Sequence, residues 1–423
     1  MKLDIVTIGS RGDVQPYLAL GLGLQRAGHT VKILTDPFFE SFVRGEGLDF
    51  APIHADPRQA LQDDIRKVAG NPFKFIRWLD RRFIPLTRSF MQDLLASSSH
   101  SDAILYSVLA FVASHVASAI PIPSLPVYLH PIHPTRYFHS PGSPGFPDWL
   151  PFRGWLNWWS FRSSNLAFFW IVRKTIDRCR QEVLGLPPVP WKVYASLDYA
   201  ESPLIYGYSP LVIPKPPDWG DWLHVTGYWF LEQAAGWQPP AALLDFLQSG
   251  PPPVYIGFGS MPEAEALELT ALVADALQRL ELRGILHEGW GELGASGLPA
   301  NMFRVQSVPH DWLFPRMAAL VHHGGAGTTA AGLRAGVPAV IVPFFADQPF
   351  WGERVYRLGV GPRPIPRQKL TADRLTGALR LAVSDPVMRQ SAADLGQKIR
   401  LEDGVGNAVR AIEQILRDRQ TTN

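Results

Sequence analysis

The chain has 423 residues, enough for two ordinary domains, and 46% of them are hydrophobic, enough for buried cores. Its 40 Lys and Arg residues nearly balance 38 Asp and Glu residues, which excludes a strongly basic surface of the kind that binds nucleic acid. The one cysteine, Cys179, excludes a disulfide within this chain and fits a reducing compartment. Because neither a signal peptide nor a run of ~20 apolar residues is visible, we expect a cytoplasmic protein, free or peripheral on a membrane.

The first half of the chain begins with β-like segments that alternate with helical ones. This alternation predicts a parallel sheet with helices on both faces. The predicted strands are 3–8, 29–35, 48–53, 103–107 and 124–129, and the predicted helices are 17–26, 38–44 and 112–120.

Tryptophan is unusually frequent, with 14 residues in the chain, and several of them fall in the segment 149–170 together with Arg153 and Arg162. Three interpretations stay open. The rings can line the core or an interdomain cleft, they can make a peripheral membrane contact, or they can form an acceptor pocket that opens towards a membrane.

A proline- and tryptophan-rich stretch then interrupts the alternation, which is typical of an interdomain linker. A second series of strands follows it, at 254–259, 283–287, 303–306, 318–322 and 339–343, with helices between them that include 263–280. The last helix, about 405–416, has the apolar spacing of an amphipathic helix. We therefore predict two doubly wound α/β domains that face each other across a cleft: 1–212, a linker 213–252, a domain 253–395, and a C-terminal segment 396–423.

The most informative motif is V-H-H-G-G-A-G-T-T at 321–329, a strand end followed by a glycine loop and the start of a helix. Backbone N–H groups and the positive end of the helix dipole favour an anion at such a place. Asp347 and Gln348 follow the next strand, at the sheet edge where ligands of open α/β sheets bind. An anion site beside a carboxylate and an amide indicates a nucleotide-activated sugar.

The segment 305–362, with H-H-G-G-A-G-T-T and P-F-F-A-D-Q, resembles the donor-binding signature of sterol 3-β-glucosyltransferases, which belong with the UDP-glycosyltransferases of GT-B fold. I-G-S-R-G-D-V-Q-P-Y at 8–17 and P-P-P-V-Y-I-G-F-G-S-M at 251–261 are similar to the same group. The resemblance spans nearly the whole chain, and it implies a UDP-sugar donor, a hydrophobic acceptor such as a sterol, and no metal or other cofactor.

The resemblance also implies roles for the residues that match the family's motifs. His323, Gly325, Gly327 and Thr328 match the diphosphate site, and we expect Ser10 and Ser260, each at the end of a domain's first strand, to reach it. Asp347 and Gln348 match the pair that binds the donor sugar, and Val308 lies in the nucleoside region. His322 is expected to be a strand-end residue that faces the sheet.

Asp13 is the candidate base. It stands where the wider family has a histidine, and glycosyl transfer with inversion needs a base near the acceptor hydroxyl. The alternative is that Asp13 caps the following helix, which aspartate does well. For the acceptor we expect contacts from the loop that carries His130 and His133. These histidines lack Cys or acidic neighbours, so we do not expect a metal there.

Two positions depart from the pattern of the plant enzymes. The tryptophan that stacks on uracil aligns with Ser307, and the glutamate that binds ribose aligns with Ala331. Trp290 is then the candidate for stacking, with a packing role as the alternative. The resemblance thus implies an inverting, metal-independent glucosyltransferase that moves glucose from UDP-glucose to a hydroxyl group of a lipophilic acceptor, a sterol or sterol-like molecule. The alternatives are a natural-product or lipid glycosyltransferase that uses another nucleotide sugar, and a catalytically silent lipid- or membrane-binding module of the same fold.

Overall fold

The structure is a computed structural model that describes residues 1–54, 72–190, 202–233, 236–259, 263–287 and 298–422, with 72–83, 263–266 and 420–422 described by their backbone alone. The chain forms two compact units. The first comprises Met1–Pro210, Pro214–Leu231 and Asp403–Asn423, and the second comprises Leu211–Ile213 and Glu232–Glu402.

The first unit is built on a parallel sheet of seven strands in the order β3-β2-β1-β4-β5-β6-β7. The five strands predicted for this half are confirmed, each within three residues at its ends. The sequence pattern does not predict β6 and β7, because both are only three residues long and β7 lies in the proline-rich stretch. The strands are β1 (Lys2–Val6), β2 (Thr30–Thr35), β3 (Asp49–Pro52), β4 (Ala103–Tyr106), β5 (Ser124–Tyr128), β6 (Leu204–Tyr206) and β7 (Leu223–Val225).

The second unit has a parallel sheet of five strands in the order β10-β9-β8-β11-β12, and all five confirm the predicted positions. His322, the last residue of β11, pairs with Ile341, the last residue of β12, so the two following loops leave the same edge of the sheet side by side. The strands are β8 (Val254–Gly257), β9 (Gly284–His287), β10 (Met302–Val305), β11 (Ala319–His322) and β12 (Ala339–Ile341).

Helices cover both units, and most of those predicted are found within a few residues of their expected ends. The described helices are α1 (Arg11–Arg26), α2 (Glu40–Gly45), α3 (Pro72–Ser97), α4 (Ala113–Ala119), α5 (Arg153–Leu184), α6 (Ala241–Gln248), α7 (Glu263–Arg279), α8 (His310–Leu313), α9 (Ala326–Ala335), α10 (Gln348–Arg357), α11 (Ala372–Ser384), α12 (Pro386–Arg400) and α13 (Gly404–Thr422).

Two helical features differ from the sequence prediction. Helix α1 begins at Arg11, six residues before the predicted start, and contains Pro16 within it. The proline indicates a break, but the contacts of Ser10 and Asp13 described below begin the helix earlier. The long helices α3 and α5 are not predicted. In α5, apolar, aromatic and charged residues are spread around the helix, so the sequence has no single apolar stripe.

Each unit has its own hydrophobic core. In the first, Leu3 and Ile5 of β1 pack with residues of α1 and with Ile412 and Leu416 of α13. Asn407 adds a hydrogen bond from its Nδ2 to the carbonyl of Thr226, 2.9 Å long. The C-terminal helix is thus part of the first unit, and the segment predicted as a linker is divided, with 214–231 in the first unit and 232–252 in the second. None of the helices in the described ranges combines the length and the apolar character needed to cross a bilayer.

Candidate functional site

The loop between β1 and α1 holds the Asp13 carboxylate at the start of a helix. Ser10 is the N-cap residue, and both its backbone N–H and its hydroxyl donate to Asp13 Oδ2, each over 2.8 Å. The Thr7 hydroxyl donates to the Asp13 carbonyl over 2.8 Å. Asp13 therefore belongs to the cap of α1, while its side chain remains partly exposed.

Gly9 gives this carboxylate its space. Its φ of 133° lies in a region that L side chains rarely adopt. A Cβ atom at this position would lie 2.5 Å from Asp13 Oδ2, closer than two such atoms can approach. Glycine at position 9 is therefore required both by the turn and by the position of the Asp13 side chain.

The loop between β11 and α9 differs from the loop between β1 and α1, because it leaves the start of its helix without a side-chain cap. Gly325 is the N-cap residue and no side chain caps the helix, whose first turn contains Gly327 and Thr328. The first N–H groups of a helix have no acceptor within it. Together with the helix dipole they make this end of α9 favourable for an anion, as the sequence motif indicates.

His323 lies directly beside this helix start. A Cβ atom on Gly325 would lie 2.5 Å from His323 Nε2, so the imidazole occupies the space that the glycine leaves. Burial lowers the pKa of His323, while the Gly257 backbone and the Asp347 carboxylate partly oppose this shift. The ring is consequently neutral near pH 7, with one N–H donor and one acceptor nitrogen.

His322 has a different environment from His323. It is fully buried as the last residue of β11, which confirms the prediction of a strand-end residue that faces the sheet. Its Nδ1 accepts a hydrogen bond from the Gly324 N–H over 3.1 Å. Burial, with smaller contributions from His323 and His310, holds its pKa well below the usual range.

The loop after β12 presents Asp347 and Gln348 in fixed orientations. Asp347 is the N-cap residue of α10, and its Oδ2 accepts a hydrogen bond from Trp351 Nε1 over 2.8 Å. Gln348 Oε1 accepts from the backbone N–H groups of Phe344 and Phe345, over 2.8 and 3.3 Å. The amide oxygen is thus used within the protein, so a contact to a sugar hydroxyl would come from the NH2 donor.

Ala346 precedes this pair with a φ of 57°, in the left-handed region that is unfavourable for a residue with a Cβ atom. Such a conformation costs on the order of 1 kcal/mol and is retained where the surroundings require it, often at functional sites. The surrounding hydrogen bonds of Gln348 and Asp347 hold the loop in this form.

The structure therefore brings His323, Gly325, Asp347 and Gln348 together at one edge of the second unit's sheet, and Ser10 and Asp13 together in the first unit. Val308, the nucleoside candidate, is buried between β10 and α8. Ser260 and Trp290 lie outside the described residues.

The acceptor candidates His130 and His133 lie in the loop that follows β5. The His133 ring packs edge-on against Trp222, with ring centroids 4.8 Å apart, and against Trp219. Burial lowers the pKa of His133 to about 4, although Asp218 opposes the shift. His133 thus stands among aromatic side chains of the first unit, whereas His130 is partly buried at the end of the strand.

Sequence reasoning does not identify the side chains that hold this loop. Asp218 accepts hydrogen bonds from the Thr135 hydroxyl (2.7 Å) and the Arg136 N–H (2.8 Å). From α5, Asn157 Nδ2 donates to the Arg136 carbonyl over 3.0 Å, and Ser160 Oγ accepts from the Ser140 N–H over 2.8 Å. Polar residues three positions apart within a tryptophan-rich segment are the one local signal of this arrangement.

Sequence reasoning also does not identify Trp351, which orients Asp347. Trp351 lies four residues after Asp347, and this helical spacing is the only local sign in the sequence that the two side chains meet. Among the described residues, no group of three or more His, Cys, Asp and Glu side chains is arranged to hold a metal ion. Independence of a metal remains a prediction.

Two family models match the chain. Residues 4–130 match the glycosyltransferase family 28 N-terminal domain, and residues 272–404 match the erythromycin biosynthesis protein CIII-like C-terminal domain. The first match includes most of β1, the Ser10–Asp13 loop and β5, and the second includes the loops that carry His323 and Asp347.

Curated relatives match over nearly the full chain. Sterol 3-beta-glucosyltransferase UGT80B1 of Arabidopsis thaliana is 37% identical over 98% of this chain and 68% of its own length. A sterol 3-beta-glucosyltransferase of Aspergillus terreus is 38% identical over 100% of this chain and 30% of its own length. The chain thus spans about two thirds of the plant relative and under a third of the fungal one.

Solved structures share the fold at lower identity. The glycotransferase of kitacinnamycin has a TM-score of 0.71 with 23% identity, covering 98% of this chain and 99% of its own. The glycosyltransferase VinC in complex with dTDP has a TM-score of 0.65 with 20% identity, covering 99% and 100%. With its two parallel-sheet α/β domains and its identity to the plant enzyme, the chain belongs to the sterol 3-β-glucosyltransferase family and has the GT-B fold.

Proposed function

We propose that this protein is an inverting glycosyltransferase that moves glucose from UDP-glucose to the hydroxyl group of a sterol or sterol-like lipid. The curated relatives are named for glucosyl transfer to sterols, and their similarity covers nearly all of this chain. The proposal assigns binding of the donor to the second unit and the base to Asp13 of the first. A cytoplasmic location and independence of metal ions are part of the same proposal.

The observation that carries the proposal is the neutral His323 beside the uncapped start of α9. As the glycosidic bond to UDP breaks, negative charge grows on the β-phosphate oxygen. Fixed donors aimed at such an oxygen stabilise the transition state, and losing one typically costs on the order of 10²–10³ in rate. Helix N–H groups and one imidazole N–H can supply this stabilisation without a cation.

The donor sugar is proposed to contact Asp347 and Gln348. An Asp347 carboxylate accepts hydrogen bonds from sugar hydroxyls, and the Gln348 NH2 group donates one, so the pair offers both kinds of partner. A sugar with a different arrangement of hydroxyl groups would leave one of these partners unsatisfied, which is the physical basis of strong discrimination. The hydrogen bonds from Phe344, Phe345 and Trp351 support this role by fixing both side chains in advance.

Asp13 is proposed to take the proton of the acceptor hydroxyl. The oxygen then attacks the anomeric carbon, the bond to UDP breaks, and its electron pair goes to the β-phosphate oxygen. Attack on the face opposite to UDP inverts the anomeric configuration. The hydrogen bonds that the Ser10 N–H and hydroxyl donate to Asp13 Oδ2 support this role, since they hold the carboxylate in a fixed position.

A second candidate is transfer from a different nucleotide sugar to a natural product or lipid. Ser307 and Ala331 stand where the plant enzymes have the residues that bind uracil and ribose. VinC, which shares the fold, was solved with dTDP. This alternative keeps the diphosphate site and changes only the nucleoside and sugar contacts.

The test is to incubate the purified protein with UDP-glucose and a panel of sterols in the presence of EDTA, and to measure the gain of one hexose by mass spectrometry. Proton NMR of the product gives the anomeric configuration. A parallel reaction with dTDP-glucose separates the two candidates. We expect a β-glucoside from UDP-glucose only.

Each other outcome changes a defined part of the proposal. An α-glucoside would contradict inversion, and a requirement for added divalent metal would contradict the metal-free mechanism. Product from dTDP-glucose alone would favour the second candidate. Binding of sterol without any transfer or hydrolysis of either donor would indicate a catalytically silent module.

A further inference from the structure

Helix α5 and the loop before it expose a cluster of large aromatic side chains, here called the aromatic surface. Every described tryptophan that is exposed belongs to it, although tryptophans elsewhere in the described ranges are buried or half-buried. Exposed patches of this kind mark interaction sites in proteins. The aromatic surface consists of Trp149, Phe152, Trp155, Trp159 and Trp170, with exposed fractions between 45% and 83%.

Near its N-terminus, α5 has the reverse of the orientation expected for a helix on the surface of a protein in water, although further along it buries Val172, Ile176 and Cys179. In the N-terminal turns the inner side carries Asn157 and Ser160, which are buried beside Phe161 and form hydrogen bonds to the loop 130–140. Trp155 and Trp159, four residues apart, lie on the outer side with their rings stacked 5.9 Å apart and an interplanar angle of 4°. An ordinary surface helix places its apolar stripe inwards and its polar residues outwards.

Phe152 provides a second, independent observation. It is 83% exposed and has a φ of 59°, in the left-handed region, at the N-cap position of α5. This conformation costs on the order of 1–2 kcal/mol for a residue with a Cβ atom. The cost is not offset by burial of the ring, and backbone strain of this kind concentrates at functional sites.

Positive charge accompanies the aromatic side chains. Between residues 136 and 174 the sequence has five Lys and Arg residues and one acidic residue, Asp148. Arg136 and Lys174 are exposed, and the Arg162 guanidinium lies 5.5 Å from the centre of the Trp158 ring. Clusters of cationic residues near a bilayer favour contact with anionic lipid headgroups.

We propose that the aromatic surface docks this protein on the interfacial region of a lipid bilayer that contains anionic lipids. Indole rings prefer the headgroup region, because they have an apolar body and a polar N–H. The Arg and Lys side chains reach the headgroups while their stems cover apolar surface. Contact is peripheral: α5 lies along the bilayer with its outer side in the interface. This inference does not depend on which sugar the enzyme transfers.

The test is co-flotation of the full protein with phosphatidylcholine vesicles, with and without phosphatidylserine. We expect binding that increases with phosphatidylserine and weakens at high salt, since salt screens the charges. In the double variant Trp155→Ser with Trp159→Ser, the partition coefficient should fall about tenfold or more. The variant Trp155→Phe with Trp159→Phe should retain most of the binding.

Controls separate docking from folding. Leu401→Ser removes an equally exposed apolar side chain, 82% exposed in the second unit, and should bind as the wild type does. Circular dichroism and thermal unfolding should be alike for all variants, because the substituted side chains are exposed. Quenching of tryptophan fluorescence by brominated lipids should be present in the wild type and reduced in the double serine variant.

Three results would overturn the inference. The first is that the wild type does not bind either kind of vesicle. The second is unchanged binding in the double serine variant. The third is that the serine substitutions change the sedimentation coefficient of a self-associated protein and leave vesicle binding as it was, which would make the aromatic surface an interface between copies of the chain.

Discussion

The helices α1 and α9 both follow a strand of a parallel sheet, yet their first turns have opposite chemistry. The start of α1 is closed by a side-chain carboxylate, because Ser10 and Asp13 bond to each other there. The start of α9 is open, because its N-cap residue is Gly325 and a neutral imidazole stands beside it. One helix start already has its anion, and the other is free to bind one.

This difference shows how one structural unit can serve two purposes. A helix N-terminus stabilises a negative charge of any origin. When the sequence supplies the charge, as with Asp13, the end of the helix holds a carboxylate in a fixed place. When the sequence supplies glycine, the same end can accept a phosphate from a ligand. Substitution of Asp13 at the first helix start and of His323 at the second tests this division of roles.

The largest effect is expected for Asp13→Asn. Asparagine retains an oxygen that can accept from the Ser10 N–H, so the helix cap should remain, but it cannot take a proton. Turnover should fall by on the order of 10²–10⁴, the usual contribution of a positioned base. The measurement is kcat with UDP-glucose and a sterol, together with the free energy of unfolding.

The matched control is Asp36→Asn. Asp36 also caps a helical turn in the first unit, where its carboxylate accepts a hydrogen bond from the Phe38 N–H over 2.9 Å. Asp36→Asn should leave kcat within about twofold, because asparagine can still accept the Phe38 N–H and the lost carboxylate is not the base. Equal turnover of Asp13→Asn and wild type would mean that Asp13 has only the capping role.

His323→Ala should lower kcat by on the order of 10²–10³, since it removes one donor from the proposed diphosphate site. His224→Ala is the control. His224 is another partly buried histidine whose pKa is lowered, mainly by burial, but it lies on β7 of the first unit, away from the proposed diphosphate site. Single-turnover kinetics with UDP-glucose measure both. An effect of the same size in both variants would point to general destabilisation instead.

The stability of the protein should decrease as the pH falls below about 6.5, the ordinary pKa of histidine. Burial lowers the pKa of His115 and of His133 to about 4, and burial also lowers those of His322 and His323. Between pH 6.5 and 4 the unfolded chain therefore binds more protons than the folded protein. Stability is fully present above this window and is lost on acidification, by on the order of 3 kcal/mol each for His115 and His133.

Urea unfolding at pH 7.5, 5.5 and 4.5 measures this slope. His115→Asn should flatten it, because asparagine does not titrate but can still accept the hydrogen bond that Arg180 Nη1 donates to His115 Nδ1 over 3.1 Å. An identical slope in wild type and variant would show that His115 does not contribute to the acid sensitivity.

The smallest effect is expected for Gln348→Glu. Glutamate keeps an oxygen for the Phe344 and Phe345 N–H groups and replaces the NH2 donor with a second acceptor. Loss of one hydrogen bond to a sugar hydroxyl should reduce kcat/KM for UDP-glucose by about tenfold. Gln390→Glu, an exposed glutamine on α12 that bonds to Asp394 over 2.8 Å, is the control. Unchanged selectivity among UDP-hexoses would remove Gln348 from the proposed sugar site.

Much of the fold can be predicted from the sequence. Strands and helices leave local periodic patterns, and for that reason all five strands of the second sheet were expected where they occur. The short strands β6 and β7 have no such pattern, since three residues among prolines carry too little periodic signal. Their place in the sheet depends on pairing with β5 and with each other, contacts made between residues far apart in the chain.

The candidate site divides in the same way. The glycine loop, His323 and the Asp347–Gln348 pair are recognisable as motifs, because each is contiguous in sequence. The orientation of those side chains cannot be recognised in the sequence, since it depends on Trp351, on the strained Ala346 and on the Gly257 backbone. Whether Asp13 caps a helix was an open alternative in the sequence, and only the hydrogen bonds of Ser10 decide that it does.

The sequence by itself determined the composition of the Trp-rich segment and the order of the strands and glycine loops, because these properties belong to neighbouring residues. The tertiary structure alone decided which side of α5 faces the protein. Asn157 and Ser160 turn inwards because the loop 130–140 offers them hydrogen-bond partners, and this leaves Trp155 and Trp159 outside. The sequence of a helix determines which residues share a face, but the contacts of each face depend on residues that are distant along the chain.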